Sequence, residues 1–243
     1  MSSPFTRKTL AFLRALKRNN DREWFRARKD QWEQHVRAPM ITLLQRLAVD
    51  FHTFGPEFVC DPKVSLLRIY RDTRFSDNKA PLKTHVAARF LVRGFPRNEG
   101  AGLYIEVAPD WVWIGGGMYM PSSADLYSIR EHIASTYPRI HRIATAPTFT
   151  KTFGELTGDR LTRVPRGYVK DHPAAHYLQH KQFIAGRELD AGFATSRSFY
   201  PEVVRTFKAA VPLVRFLNTP LQNMVRAIPV SAGEWKQRSA WTQ

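Results

Sequence analysis

Apolar residues recur at helical spacing through the first fifty positions. Leu10, Phe12, Leu13 and Leu16 fall on one face of a helix over residues 6–18, with arginine and lysine between them. Asn19-Asn20 interrupts that pattern. Asn20 stands three residues before Glu23, the spacing of a capping box, and predicts a second helix carrying Trp24, Phe25, Trp32 and Val36. Pro39 suits the first turn of a third, which runs through Phe51 with Met40, Leu43, Leu44 and Leu47 on its apolar face.

After Gly55-Pro56 the apolar runs shorten. Val64–Tyr70 reads as a strand and Ala87–Val92 as another, while Gly102–Ala108 and Trp111–Gly117 flank Pro109-Asp110 as a hairpin would. Pro121-Ser122-Ser123 opens a helix to near Ser135. Downstream the pattern is mainly helical: Asp171 is placed to cap a helix starting near His172-Pro173, and Phe199–Phe216 is a helical stretch broken by Pro201 and Pro212. Helices, then strands, then helices predict an α+β class, with a central, mainly antiparallel sheet and N-terminal and C-terminal helices packed around it. One domain over 1–243 is expected. It comprises a helical segment (5–52), a sheet-rich core (57–120) and a mainly helical remainder (121–243) ending in a short basic tail.

Composition supports a sizeable core, with 43% hydrophobic and 12% aromatic residues in 243. Charge adds more. There are 37 Lys and Arg against 21 Asp and Glu, a net +16, which attracts polyanions or phosphorylated small molecules. The excess is spread along the chain, whereas a dedicated nucleic-acid tail is segregated. A small anionic ligand is therefore the favoured partner, with nucleic acid as the alternative. The lone Cys60 makes no internal disulfide, so folding needs no oxidising compartment. No apolar run approaches the ~20 residues of a membrane span, and basic residues break what would be a signal core. A soluble, cytoplasmic protein without a membrane partner is expected.

Residues 68–85, R-I-Y-R-D-T-R-F-S-D-N-K-A-P-L-K-T-H, hold five cations and a histidine against Asp72 and Asp77. In a regular strand Ile69 and Phe75 point inward and carry Arg71 with them, which is costly for an arginine without a partner. A bend near Asp72 relieves this and turns Arg71 and Arg74 towards Lys79, Lys83 and His85. Guanidinium forks suit carboxylate and phosphate oxygens, and lysine adds a movable charge. The functional reading is an oxyanion pocket: Arg68, Arg71 and Arg74 position the anion, Lys79 and Lys83 close over it, and Asp72 orients the arginines. His85 moves a proton, and with Asp72 it is the candidate for catalysis. The structural alternative is a set of ion pairs, with Arg71 tied to an acid such as Glu106.

Other features weigh less. Gly115-Gly116-Gly117 lacks the G-x-G-x-x-G spacing and reads first as close strand packing beside Trp111 and Trp113. His172, His176 and His180 recur every four residues, but H-E-x-x-H is absent and no metal or cofactor is expected. Lys170, His172 and Lys181 are better taken as second contributors to the cationic pocket. Cys60 has no histidine nearby, Ser76 lacks a base unless His85 serves, and Trp235 and Trp241 are the tryptophans best placed for exposure.

The stretch F-L-R-A-L-K-R-N-N-D-R-E-W-F, Phe12 to Phe25, resembles the start of a widespread bacterial domain family of unknown function, whose members show F-L-x-x-L-x-x-N-N-x-R-x-W-F. That family continues with R-I-x-R-D-x-R-F-S-x-D-K-x-P-Y-K-T, a glycine-containing strand before Y-x-P, and D-H-P followed by L-K-x-F. The counterparts here are Arg68 to Thr84, Gly115 to Pro121, and Asp171-His172-Pro173 with Lys181-Gln182-Phe183. The resemblance implies the family's α+β fold and no particular activity. Asn78 and Leu82 depart from the family's usual Asp and Tyr.

Overall fold

The protein is described by a computed structural model covering residues 3–74, 77–95 and 99–227. Phe75, Ser76 and the tail with Trp235 and Trp241 lie outside the described residues. Helix α1 (Arg7–Arg18) buries Leu10, Phe12, Leu13 and Leu16, as its periodicity requires. The expected second helix is divided into α2 (Arg22–Arg26), α3 (Lys29–Trp32) and a π-helical turn (Glu33–Arg37) that runs directly into α4 (Ala38–Phe54). Phe12 joins this region by packing against Trp24 and Trp32, with centroids 5.8 and 5.9 Å away.

The cap of α2 is Asp21, not Asn20: its Oδ1 accepts from the backbone of Glu23 and Trp24 at 2.8 and 2.9 Å. Asn20 turns inward instead. Its Nδ2 donates to the Leu82 carbonyl at 2.9 Å and its Oδ1 accepts from the Leu82 N–H at 3.0 Å. A side-chain amide thus completes the backbone pairing that strand geometry leaves open beside the cationic motif.

The expected strand over Val64–Tyr70 is also corrected. Pro62 and the Asp61 cap, which accepts from Lys63 N at 2.8 Å, wind Pro62–Ser65 into one helical turn, α5. The chain then runs antiparallel to residues 81–88 in a broken ladder: Leu67 N to Ala87 O, Lys83 N to Ile69 O and Arg71 N to Pro81 O at 2.8–2.9 Å. It leaves this ladder after Arg71, at the bend expected near Asp72.

The sheet is four-stranded, in the order β1 (Val86–Leu91), β2 (Gly102–Val107), β3 (Trp111–Met118), β4 (Phe183–Asp190), with every pair antiparallel. The hairpin at Pro109-Asp110 falls where the sequence places it. Strand β4 escapes the sequence pattern because Arg187 occupies a core-side position, where Glu202 meets it at 2.6 Å. Helices α6 (Ser123–Ser135), α7 (Tyr137–Thr145), α8 (Pro147–Phe153) and the single turn α9 (Ala175–Leu178) precede β4.

Helix α10 (Phe199–Ala227) crosses the core face of the sheet. Neither expected break occurs. Pro201 sits in the first turn, where its missing N–H costs nothing, and the helix continues through Pro212. Burial of Phe199, Val203, Phe207, Leu213, Phe216 and Leu217 outweighs the ~3 kcal/mol of an interior proline. Asp171 caps no helix and the three histidines share no helical face. Only His176 lies in α9, and His172 Nδ1 accepts from Ala174 N at 3.0 Å, closing a turn ahead of it. Among the described residues no helix is long and apolar enough to cross a membrane.

Candidate functional site

Strand alternation gives the sheet two unlike faces. Ala88, Phe90, Leu103, Ile105, Val112 and Ile114 are fully buried on the face towards α10. The other face carries a groove of about 690 Å³, lined among others by Leu67, Arg89, Tyr104, Glu106, Trp113 and Tyr119. Register fixes the layout: Arg89, Tyr104, Gly115 and Gly186 lie abreast across the strands, one residue pair beyond Ala87, Glu106, Trp113 and Glu188.

Glycines keep the floor of this groove low. A Cβ on Gly186 would lie 2.0 Å from Trp113 Cζ2, and one on Gly115 would lie 2.8 Å from Trp113 Cη2. The indole therefore lies against the backbone of β3 and β4. Gly117 has φ +136°, and a side chain there would meet the Phe183 carbonyl at 2.0 Å. The triple glycine is accounted for by close packing between strands.

Glu106 is the electrostatic centre. Tyr104 OH donates to Oε2 at 2.7 Å, Trp111 Nε1 donates to Oε1 at 2.8 Å, and His85 Nε2 lies 3.6 Å from Oε2. Burial first, then the Glu106 carboxylate, holds the Tyr104 phenol well above its ordinary range, so it serves as a neutral donor. His85 is pushed below the usual imidazole value chiefly by burial. Glu106 opposes that shift, and the charges of Lys83 and Arg71 reinforce it. Lys83 is likewise lowered, first by burial and then by Arg68, with Arg71 and Arg89 adding to the effect and Glu106 opposing it. Lys83 and His85 thus feel the half-buried Glu106 carboxylate directly, while Arg71 acts on both of them and Arg68, itself exposed, and Arg89 act on Lys83.

The rest of the cationic motif goes elsewhere. Arg74 forms a two-pronged pair with Asp72, at 3.0 and 2.7 Å, and its side chain is 77% exposed. That guanidinium holds the Asp72 carboxyl at about 2, a poor value for proton exchange near neutrality. Among the described residues the arginine that Asp72 holds is Arg74. Lys79 Nζ donates to the Thr73 carbonyl at 3.1 Å and lies in the same exposed loop.

Arg89 lines the groove; Arg68, Arg71, Lys83 and His85 do not, and neither do Lys170, His172 and Lys181. Lys181 enters β4, whose edge is three strand spacings, roughly 14 Å, from β1. Its backbone N–H instead pairs with the Asp159 carbonyl at 2.7 Å. Burial pushes the Cys60 thiol up to about 12, with Asp61 adding to the shift, and its Sγ contacts the Leu44 carbonyl at 3.2 Å, an inert arrangement. Among the described residues no three His, Cys, Asp or Glu side chains form a metal-holding group.

Sequence reasoning gave Glu106 only a structural part and passed over Tyr104 and Arg89. The signal lay in G-L-Y-I-E-V-A: Leu103, Ile105 and Val107 alternate inward, so Tyr104 and Glu106 must share the other face.

No curated protein and no solved structure matches the chain. The profile of a family described as conserved hypothetical protein, DUF2461, matches residues 8–216, a span that takes in all four strands and most of α10. The chain belongs to that family.

Proposed function

We propose that this protein binds a small phosphate- or carboxylate-bearing ligand in the groove on the open face of its sheet. Lys83, Arg68 and Arg71 take the anion, and Arg89 extends the cationic wall along β1. The observation that carries this reading is the excess of cations over acids: Arg68, Arg71 and Arg89 act on Lys83, and the acid that opposes them, Glu106, already accepts from Tyr104 and Trp111. Asp72, an acid that Arg68 influences, is engaged by Arg74. Of these cations Arg71, Lys83 and Arg89 are half-buried, where neighbouring like charges raise one another's energy and an incoming anion relieves that repulsion.

His85 gives the site proton chemistry. Its imidazole is neutral near pH 7, and an anionic ligand arriving at Lys83 raises its proton affinity beside Glu106. In this reading the exposed Arg74 and Lys79 contribute long-range attraction, and Lys170, His172 and Lys181 contribute little.

Thermal unfolding of wild type and Arg71→Gln against phosphate, sugar phosphates, nucleotides, carboxylates and oligonucleotides tests the proposal. A bound anion at a hundred times its dissociation constant stabilises by about 2.7 kcal/mol, a shift of roughly 5–10 °C for a chain of this size. The expected result is a shift from a small anion that Arg71→Gln loses. A shift from oligonucleotides alone, retained in the variant and erased by salt, would overturn it in favour of a basic nucleic-acid surface.

A further inference from the structure

We propose that the ligand of this groove carries a planar ring, stacked on Trp113, at the end remote from its anionic group. The inference rests on the anion reading above and specifies the ligand's other half. Trp113 faces outward from β3 and is only partly buried. One face of its indole is pressed onto Gly186 and Gly115, so closely that a Cβ at Gly186 would stand 2.0 Å from Cζ2. A ring seated against backbone on one side presents its other face to the groove that it lines. Tyr104 flanks it, centroids 5.8 Å apart and tilted by 59°, so this tyrosine forms a wall beside the indole instead of a lid over it. Tyr119 stands at the mouth, 67% exposed.

The separation of the two ends suits one elongated molecule. Arg89 is on β1 and Trp113 on β3, two strand spacings apart, or roughly 10 Å. A ring joined to a phosphate through a sugar, or to a carboxylate through a short linker, bridges that span. An inorganic anion fills only the cationic end and leaves the aromatic floor in water. Flat π-faces accept planar rings with little demand on ring identity, so the prediction concerns a class of ligand and not one compound.

The test uses the full chain and two probe pairs that share an anion and differ in the ring: adenosine monophosphate against ribose 5-phosphate, and benzoate against acetate. Titration calorimetry is expected to find at least one ring-bearing member about tenfold tighter than its ringless counterpart. In Trp113→Ala that advantage collapses while the ringless member binds as before. Arg71→Gln weakens both members of the pair. Should Trp113→Ala fail to fold, Trp113→Phe keeps a ring over the glycines. The quenching of tryptophan fluorescence by the ring-bearing probe is then expected to fall by the share that Trp113 contributes while binding persists. Equal affinity within both pairs, with both members weakened by Arg71→Gln, would overturn the stacking inference alone. Quenching undiminished in Trp113→Phe would do the same. No binding of any of the four probes would overturn the anion reading and this inference together.

Discussion

His180 is fully enclosed, with its Nδ1 3.0 Å from the Gln182 carbonyl and its Nε2 unpartnered among the described residues. Burial, reinforced by Arg160, pushes its pKa down to about 4, and burial also lowers His85, His132 and His176. In each case the unfolded chain takes up protons, near the ordinary value of about 6.5, before the native chain does. Their contribution to stability is therefore complete above that value and is lost as pH falls towards the folded values. Thermal melts should show an unfolding temperature nearly level from pH 7.5 to about 6.5 and falling from there to pH 5, and His180→Gln should flatten that fall. A pH-independent unfolding temperature over this range would contradict the burial assigned to these rings. Histidine spacing alone suggested a shared helical face. Of the three, only His180 is buried: four residues there are helical, His176 stays exposed with its ring 6.3 Å from that of His180, and the packing of His180 against Phe183, at 5.5 Å, is set by β4.

Elements with unbroken periodicity were legible in the sequence: α1, α4, α6 and the β2–β3 hairpin follow from spacing and turn residues. Elements whose residues answer to distant partners were not. Strand β4 carries a charged residue on its core side because Glu202 waits on α10, and α10 runs through prolines because its apolar face is covered along most of its length. Asn20 belongs to the same class. Its apparent capping role gives way to two hydrogen bonds to Leu82, the residue before Lys83, across 62 positions of sequence. Asn20→Ala leaves a part-buried backbone N–H and C=O without those bonds and should cost about 1–3 kcal/mol in denaturant unfolding. It should also weaken anion binding, since the ladder that positions Lys83 loses its tie to the N-terminal helices. A stability change within error, with unaltered binding, would show that Asn20 does not organise the motif.

At the scale of the whole molecule, a net charge of +16 invites a reading in which every basic residue counts alike. The fold separates them instead. Within the 68–85 stretch, Arg71, Lys83 and His85 are half-buried and Glu106 acts on Lys83 and His85, while Arg74 and Lys79 stay with the exposed loop. The sequence located the cationic stretch but not its division, because the dividing partner, Glu106, lies on a strand that pairs with β1 only in the folded chain. The most direct test is titration calorimetry with inorganic phosphate at fixed ionic strength, comparing wild type, Lys83→Met and Lys79→Met. Each variant removes one charge from the same stretch. The expected result is a loss of about tenfold or more for Lys83→Met and almost none for Lys79→Met. Equal losses in the two variants, or no phosphate binding by the wild type, would contradict the account of a localised anion site.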